Sequence, residues 1–182
     1  MVAACTRPSK PTSPGCCDKS TAGDAGDAAL DARAPIDAGA PKPSSRFRRE
    51  EGCARDFSAT GDAVQDIAEL QRLCAQGLVA FFPNAVNASA SGSEALEVPF
   101  RVNAPTACLR AGVVGGAKGV TASLVDERGA VLASTSSLEP LALVPVDGTV
   151  CVREPGMYRV VVRMNTGLEA QAVSVQAWQA NP

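Results

Sequence analysis

The sequence predicts a mostly β protein, an antiparallel β-sandwich of about eight strands that follows one short helix and a disordered N-terminal tether. Three observations predict this architecture. Apolar residues recur at every second position over 95–182, recur at helical spacing over 62–76, and show no period over 6–45. Because only 4% of the 182 residues are aromatic, the predicted core consists mainly of Ala, Val and Leu.

The first predicted segment, residues 1–45, is the tether. From residue 6 onward it is rich in Ala, Asp, Gly and Pro, and its basic and acidic side chains balance. Such a segment has too few large side chains to offset the entropy cost of ordering the chain. A coil of this length spans about 35 Å. We therefore expect a spacer that holds a folded domain away from an anchor.

Residues Val2-Ala3-Ala4-Cys5 resemble the lipobox of bacterial lipoproteins, in which the cysteine is acylated on sulfur and becomes the mature N-terminus. The charged and apolar regions that normally precede a lipobox are not in the sequence, as expected if the gene starts upstream of Met1. The resemblance implies an exported protein that is attached to a membrane only through lipid on Cys5. The other interpretation is an incidental cysteine in a disordered tail.

The chain has an odd number of cysteines, at positions 5, 16, 17, 53, 74, 108 and 151. Lipidation of Cys5 would leave six that can pair. We predict disulfides Cys53–Cys74, which bracket the helix, and Cys108–Cys151, which join two strands, each stabilising by roughly 3–4 kcal/mol. The partners of the two tether cysteines stay open. Because disulfides persist in oxidising compartments, these pairs also favour an exported protein, periplasmic or on the cell surface.

The second predicted segment, residues 46–94, contains the helix. Asp62 and Gln65 are residue types of a capping box, and apolar side chains then recur on one face of a helix predicted over 62–76. Gly77 follows as a residue typical of a helix end. Residues 83–94, rich in Asn, Ala, Ser and Gly, are predicted to be a linker or a long loop.

The third predicted segment, residues 95–182, is the sandwich. Its strands alternate apolar and mostly polar positions, and Asp147-Gly148 is the strongest hairpin signal between them. The apolar positions assigned to the core are Val98, Phe100, Val102, Leu109, Ala111, Val113, Val120, Ala122, Leu124, Tyr158, Val160, Val162, Met164, Val173, Val175 and Ala177. The run 112–119 lacks the residues of a phosphate-binding loop and is interpreted as a glycine-rich loop between two strands.

Three stretches, 123–132, 155–162 and 170–178, together resemble the strand–turn–strand and closing-strand motifs of the bacterial pre-peptidase C-terminal (PPC) type of small β-sandwich. The resemblance covers most of the third segment. It implies a secreted, non-catalytic accessory module. The chain departs from the family pattern because it carries no protease domain and because it has Cys108 and Cys151 in the strands.

The composition excludes several kinds of chemistry. The chain has no histidine, which rules out Ser-His-Asp and Cys-His catalysis and histidine-ligated metals. No nucleophile motif and no Cys-x-x-Cys pair is present, so we predict no enzyme activity, no cofactor and no metal site. A net charge of −2 argues against nucleic acid as a partner.

Two interpretations of function remain. The first is a non-catalytic binding or interaction module at the bacterial cell envelope, with a protein or a glycan as its partner. The alternative is a structural or assembly subunit that joins copies or partners through its tether or strand edges. Arginines are spread over several predicted strands, at 101, 110, 153, 159 and 163. They reflect either compositional bias or an outward stripe that binds an anionic polymer.

Overall fold

The structure is a computed structural model that describes residues 45–46, 52–117 and 119–180. The elements in chain order are β1 Ser45–Arg46, α1 Ala63–Cys74, β2 Leu78–Ala80, β3 Val86–Ala90, β4 Leu96–Val102, β5 Ala107–Gly115, β6 Val120–Asp126, β7 Val131–Ser137, β8 Leu141–Val144, β9 Val150–Val152, β10 Gly156–Met164 and β11 Gln171–Ala180. The lipobox, the predicted tether up to residue 44 and the cysteines at 5, 16 and 17 lie outside the described residues.

The strands form two sheets, so the predicted fold class is confirmed. Sheet A has the order β1-β7-β6-β10-β4. In sheet B, β11 pairs with β5 on one side and with both β2 and β3 on the other, and β5 also pairs with β8 and β9. The two-residue β1 runs parallel to β7, and the other ten strands pair antiparallel. The strand number therefore exceeds the predicted eight.

The core between the sheets consists of the apolar positions that the alternation predicted. The assigned residues of β4, β5, β6, β10 and β11 are all buried and form one cluster, which also contains Ala90, Ala107, Ala142, Val144 and Val152. At the start of β10, the Tyr158 hydroxyl donates to the Glu154 carbonyl over 2.7 Å. This contact has the form of the tyrosine corner found in β-sandwiches. Burial raises the pKa of Tyr158, and the carboxylate of Glu154 adds to the effect.

Helix α1 forms a third layer on the outer face of sheet B. Asp62 caps it, with the Oδ1 atom accepting from the backbone N–H groups of Val64 and Gln65, as the capping pattern predicted. The helix buries Ile67 and Leu70 against sheet B, where Trp178 is 0% exposed. Because one face of sheet B meets sheet A and the other meets α1, strands β5, β8 and β11 have long runs of buried residues.

The expectation of a linker or long loop over 83–94 is wrong for residues 86–90, which form β3. This stretch reads Val-Asn-Ala-Ser-Ala, so it alternates apolar and polar residues, but two of its three apolar side chains are alanine and give only a weak signal. The strand forms because β11 supplies backbone pairing, and the Ser174 hydroxyl donates to Asn87 Oδ1 over 2.6 Å. Together with β2, this strand shows that sheet B already begins at Leu78.

Both predicted disulfides are present. Cys53 and Cys74 join the segment before the helix to its last residue, with a Cα–Cα distance of 5.2 Å. Cys108 and Cys151 lie directly opposite each other on β5 and β9, with a Cα–Cα distance of 3.8 Å. The two bonds indicate an oxidising compartment, as in exported proteins.

Candidate binding groove

An open groove of about 800 Å³ lies on the outer face of sheet B, where α1 leaves that face uncovered. Asn87 of β3, Ser174 of β11 and Val114 of β5 contribute to its floor, and the first turn of α1 and Pro140 contribute to its walls. Its volume falls within the range of ligand-binding cavities in proteins, about 300–1,000 Å³.

Small residues give the groove its shape. Half of its lining residues are alanine or glycine, and none of the described lining residues is aromatic. At the end of β5, Gly115 and Gly116 have φ angles of +112° and +79°, a conformation that side-chain-bearing residues rarely adopt. A Cβ atom on Gly115 would lie within van der Waals overlap of the Ala172 carbonyl oxygen. Glycine at this position therefore allows the backbones of β5 and β11 to approach each other closely beneath the groove.

Asp66 fixes the wall of the groove at the start of the helix. Its side chain is buried, and its Oδ1 atom accepts from both the backbone N–H and the hydroxyl of Thr60, at 2.7 and 2.8 Å. Its Oδ2 atom accepts from Gly61 N–H at 3.2 Å. The next arginine along the helix, Arg72, pairs with Glu69 at 2.6 Å.

Arg110 fixes the opposite end of the helix. It is only 8% exposed, and its guanidinium donates to the carbonyls of Cys74 at 2.6 Å and Val146 at 2.8 Å. A cation at this position complements the negative end of the helix dipole and satisfies a terminal carbonyl. Burial lowers the pKa of Arg110, and nearby Asp147 opposes that shift. The interpretation of Arg110 as part of an outward stripe is therefore wrong.

No pattern in the sequence indicates the groove. Asn87 and Ala88 fell in the predicted linker, and the glycines at 115 and 116 fell in the predicted glycine-rich loop. Of the predicted site residues, Cys5 lies outside the described residues. The Cys53–Cys74 bond lies at the C-terminal end of α1, whereas the groove lies at the N-terminal end. The bond therefore holds the helix without contributing to the groove lining.

Comparison with known proteins does not assign the chain to a family. No protein-family model and no curated protein matches it. The resemblances to bacterial lipoproteins and to PPC-type sandwiches therefore stay predictions. Over residues 52–117 and 119–180, no helix has the length and apolar character needed to cross a bilayer. The same residues contain no cluster of three or more Cys, Asp or Glu side chains arranged to hold a metal ion.

Proposed function

We propose that this protein is a non-catalytic interaction module exported to the bacterial cell envelope and attached to a membrane through lipid on Cys5. Its sandwich binds a segment of a partner protein in the groove on sheet B. The observation that carries this proposal is the open, preformed groove in a body that two disulfides hold together.

The lining of the groove favours an extended peptide with small side chains. Alanine and glycine have short side chains that do not project far from the sheet. The main chain of a bound peptide therefore approaches the sheet closely. Five of the sixteen lining residues are polar: Asp66, Asn87, Glu169, Gln171 and Ser174. Of these, Asn87 is exposed and Gln171 is half-buried, and both offer side-chain amides for main-chain hydrogen bonds. A few polar groups in a mostly apolar lining are typical of specific binding sites.

A photocrosslinking experiment in living cells tests the groove. A benzophenone amino acid at Ala172, an exposed groove residue on β11, is compared with the same amino acid at Ala130, an exposed residue in the β6–β7 turn. The proposal predicts one discrete adduct from position 172, abolished when Asn87→Trp fills the groove, and none from position 130. Equal labelling from both positions, or an adduct that persists in the filled groove, would contradict it.

A separate experiment tests the anchor. The gene is expressed with its upstream codons, and the mature protein is analysed by mass spectrometry after extraction from membranes. We expect a lipid mass on the wild-type chain that disappears in Cys5→Ser. A wild-type product of unmodified mass outside the membrane fraction would contradict lipidation while leaving the groove proposal intact.

A specific observation favours the alternative, a structural or assembly subunit. Among the described strands, β3 pairs only with β11, and its five residues include neither proline nor charge. The edge strand of sheet A, β4, carries Pro99 and two charged residues, features that protect an edge from pairing. Size-exclusion chromatography with light scattering on the full chain distinguishes the roles, since a stable oligomer that Ala88→Pro disrupts would favour assembly through β3.

A further inference from the structure

The outer face of sheet A carries a cluster of positive charge. Three arginines point outward from neighbouring strands, Arg101 from the edge strand β4 and both Arg159 and Arg163 from β10 beside it. Among the outward residues of β4, β6, β7 and β10, Glu97 is the one acid. The described residues as a whole contain twelve acids and nine arginines. This arginine face is therefore positive on a body whose described part is negative.

The strand register sets the spacing of these charges. Arg101 lies opposite Met157, so it is diagonal to Arg159, which places their Cα atoms about 7–8 Å apart. Arg163 lies four residues beyond Arg159 on the same strand, a distance of about 13 Å. No hydrogen bond or ion pair holds the Arg101 or Arg163 side chain within the described residues, whereas Arg159 donates to Glu97 Oε2 at 3.0 Å.

Short hydroxyl side chains border the arginines on β6 and β7. Ser123 and Ser134 form a hydrogen bond of 2.9 Å across the two strands, and Thr121 donates to Ser136 over 3.1 Å. Thr121 is also directly opposite Arg163. Because these side chains are short, the guanidinium groups project above a flat, hydroxyl-rich surface.

We propose that this arginine face binds an acidic polysaccharide. Arginine forks pair with carboxylates in bidentate geometry, and the neighbouring hydroxyls suit the hydroxyl groups of sugars. The proposal adds a second ligand class to the envelope interaction role. It rests on that role only for the location, the cell envelope, in which the protein encounters the polysaccharide. It is independent of the groove, which lies on the other sheet.

The composition of the face favours a polysaccharide over an anionic bilayer. Basic clusters that bind anionic lipids typically contain about 4–8 Lys or Arg residues, and amphipathic membrane-binding surfaces present several large apolar side chains. This face has three arginines, and its prominently exposed large apolar residues among the described strands are Met157, at 42%, and Val131, at 45%, fewer than such membrane-binding surfaces present.

The test measures binding of the purified full chain to a heparin dodecasaccharide by isothermal titration calorimetry, with neutral dextran as the reference. Arg101→Gln combined with Arg163→Gln should weaken heparin binding about tenfold. The matched control, Arg72→Gln combined with Arg153→Gln, removes two exposed arginines outside this face and should leave the affinity within about twofold.

A gain-of-affinity variant excludes misfolding as the explanation. Glu97→Gln removes the one acid of the face and releases Arg159, so heparin binding should strengthen about threefold or more. Affinity that is unchanged in both the double variant and Glu97→Gln would overturn the proposal. So would equal binding to dextran, or binding to phosphatidylglycerol vesicles without binding to heparin. Failure of the groove crosslinking would leave these results untouched.

Discussion

Replacement of Arg110 by methionine should undock the C-terminal end of helix α1. The guanidinium makes two short hydrogen bonds to the carbonyls of Cys74 and Val146. Hydrogen bonds to a charged group contribute about 1.5–3 kcal/mol each, and their removal leaves two carbonyls without this donor. Methionine restores apolar contact and removes the cost of burying a cation, which offsets part of the loss. We expect Arg110→Met to lower the free energy of unfolding by about 2–4 kcal/mol.

Trp178 provides the assay. It is the only tryptophan of the chain, it is fully buried, and it belongs to the cluster between α1 and sheet B. Urea unfolding followed by its fluorescence therefore reports on the helix interface. Arg153→Met, at an exposed arginine, is the control and should change stability by no more than about 0.5 kcal/mol.

Two results would contradict the role assigned to Arg110. A methionine variant as stable as the wild type would mean that the buried cation costs as much as its hydrogen bonds contribute. The effect of Arg110→Met should also be less than additive with removal of the Cys53–Cys74 bond, because both hold the same end of α1. Full additivity would show that Arg110 does not act on the helix end.

Three further predictions concern the sandwich. Gly112→Ala should destabilise by about 1–3 kcal/mol in urea unfolding, because the added Cβ would lie 2.7 Å from the Trp178 ring, and an unchanged midpoint would contradict that packing. Replacing Cys108 and Cys151 by alanine should lower the free energy of unfolding by about 4 kcal/mol, because the bond closes a loop with a sequence separation of 43 residues. A loss below about 1 kcal/mol would contradict this prediction. Tyr158 is the only tyrosine of the chain, and burial raises its pKa. Its contribution to the free energy of unfolding is therefore fully present below about pH 10 and is lost as the pH rises through the folded-state pKa. An alkaline tyrosinate titration of the folded protein should have its midpoint above that of the urea-unfolded chain, with Tyr158→Phe as the blank, and coincident midpoints would contradict the shift.

Several features were predictable because local signals specify them. The alternation of Val98, Phe100 and Val102 identifies a strand with one buried face, whatever lies opposite. The capping residue Asp62 and the apolar spacing after it identify the helix in the same way. The cysteine pairs followed from their positions relative to these elements, since Cys108 and Cys151 each sit between apolar neighbours in strands.

Other features had a weak local signal or none. Strand β3 alternates apolar and polar residues, but two of its three apolar side chains are alanine, so its pairing with β11 is what identifies the strand. Arg110 resembles the exposed Arg101 in its sequence context, because each occupies a polar position between two apolar residues of a strand. The difference between them is that α1 covers sheet B at Arg110, whereas no described element covers sheet A at Arg101.

The sequence by itself determined the helix, the strongly alternating strands with their inward faces and the cysteine pairs, because backbone periodicity and capping act over a few residues. Only the tertiary structure decided that α1 packs on sheet B, that it leaves one end of that sheet open as a groove, and that three of five arginines share one exposed face. Those features depend on which elements meet, and contacts between residues far apart in the chain leave no periodic signal in either segment alone.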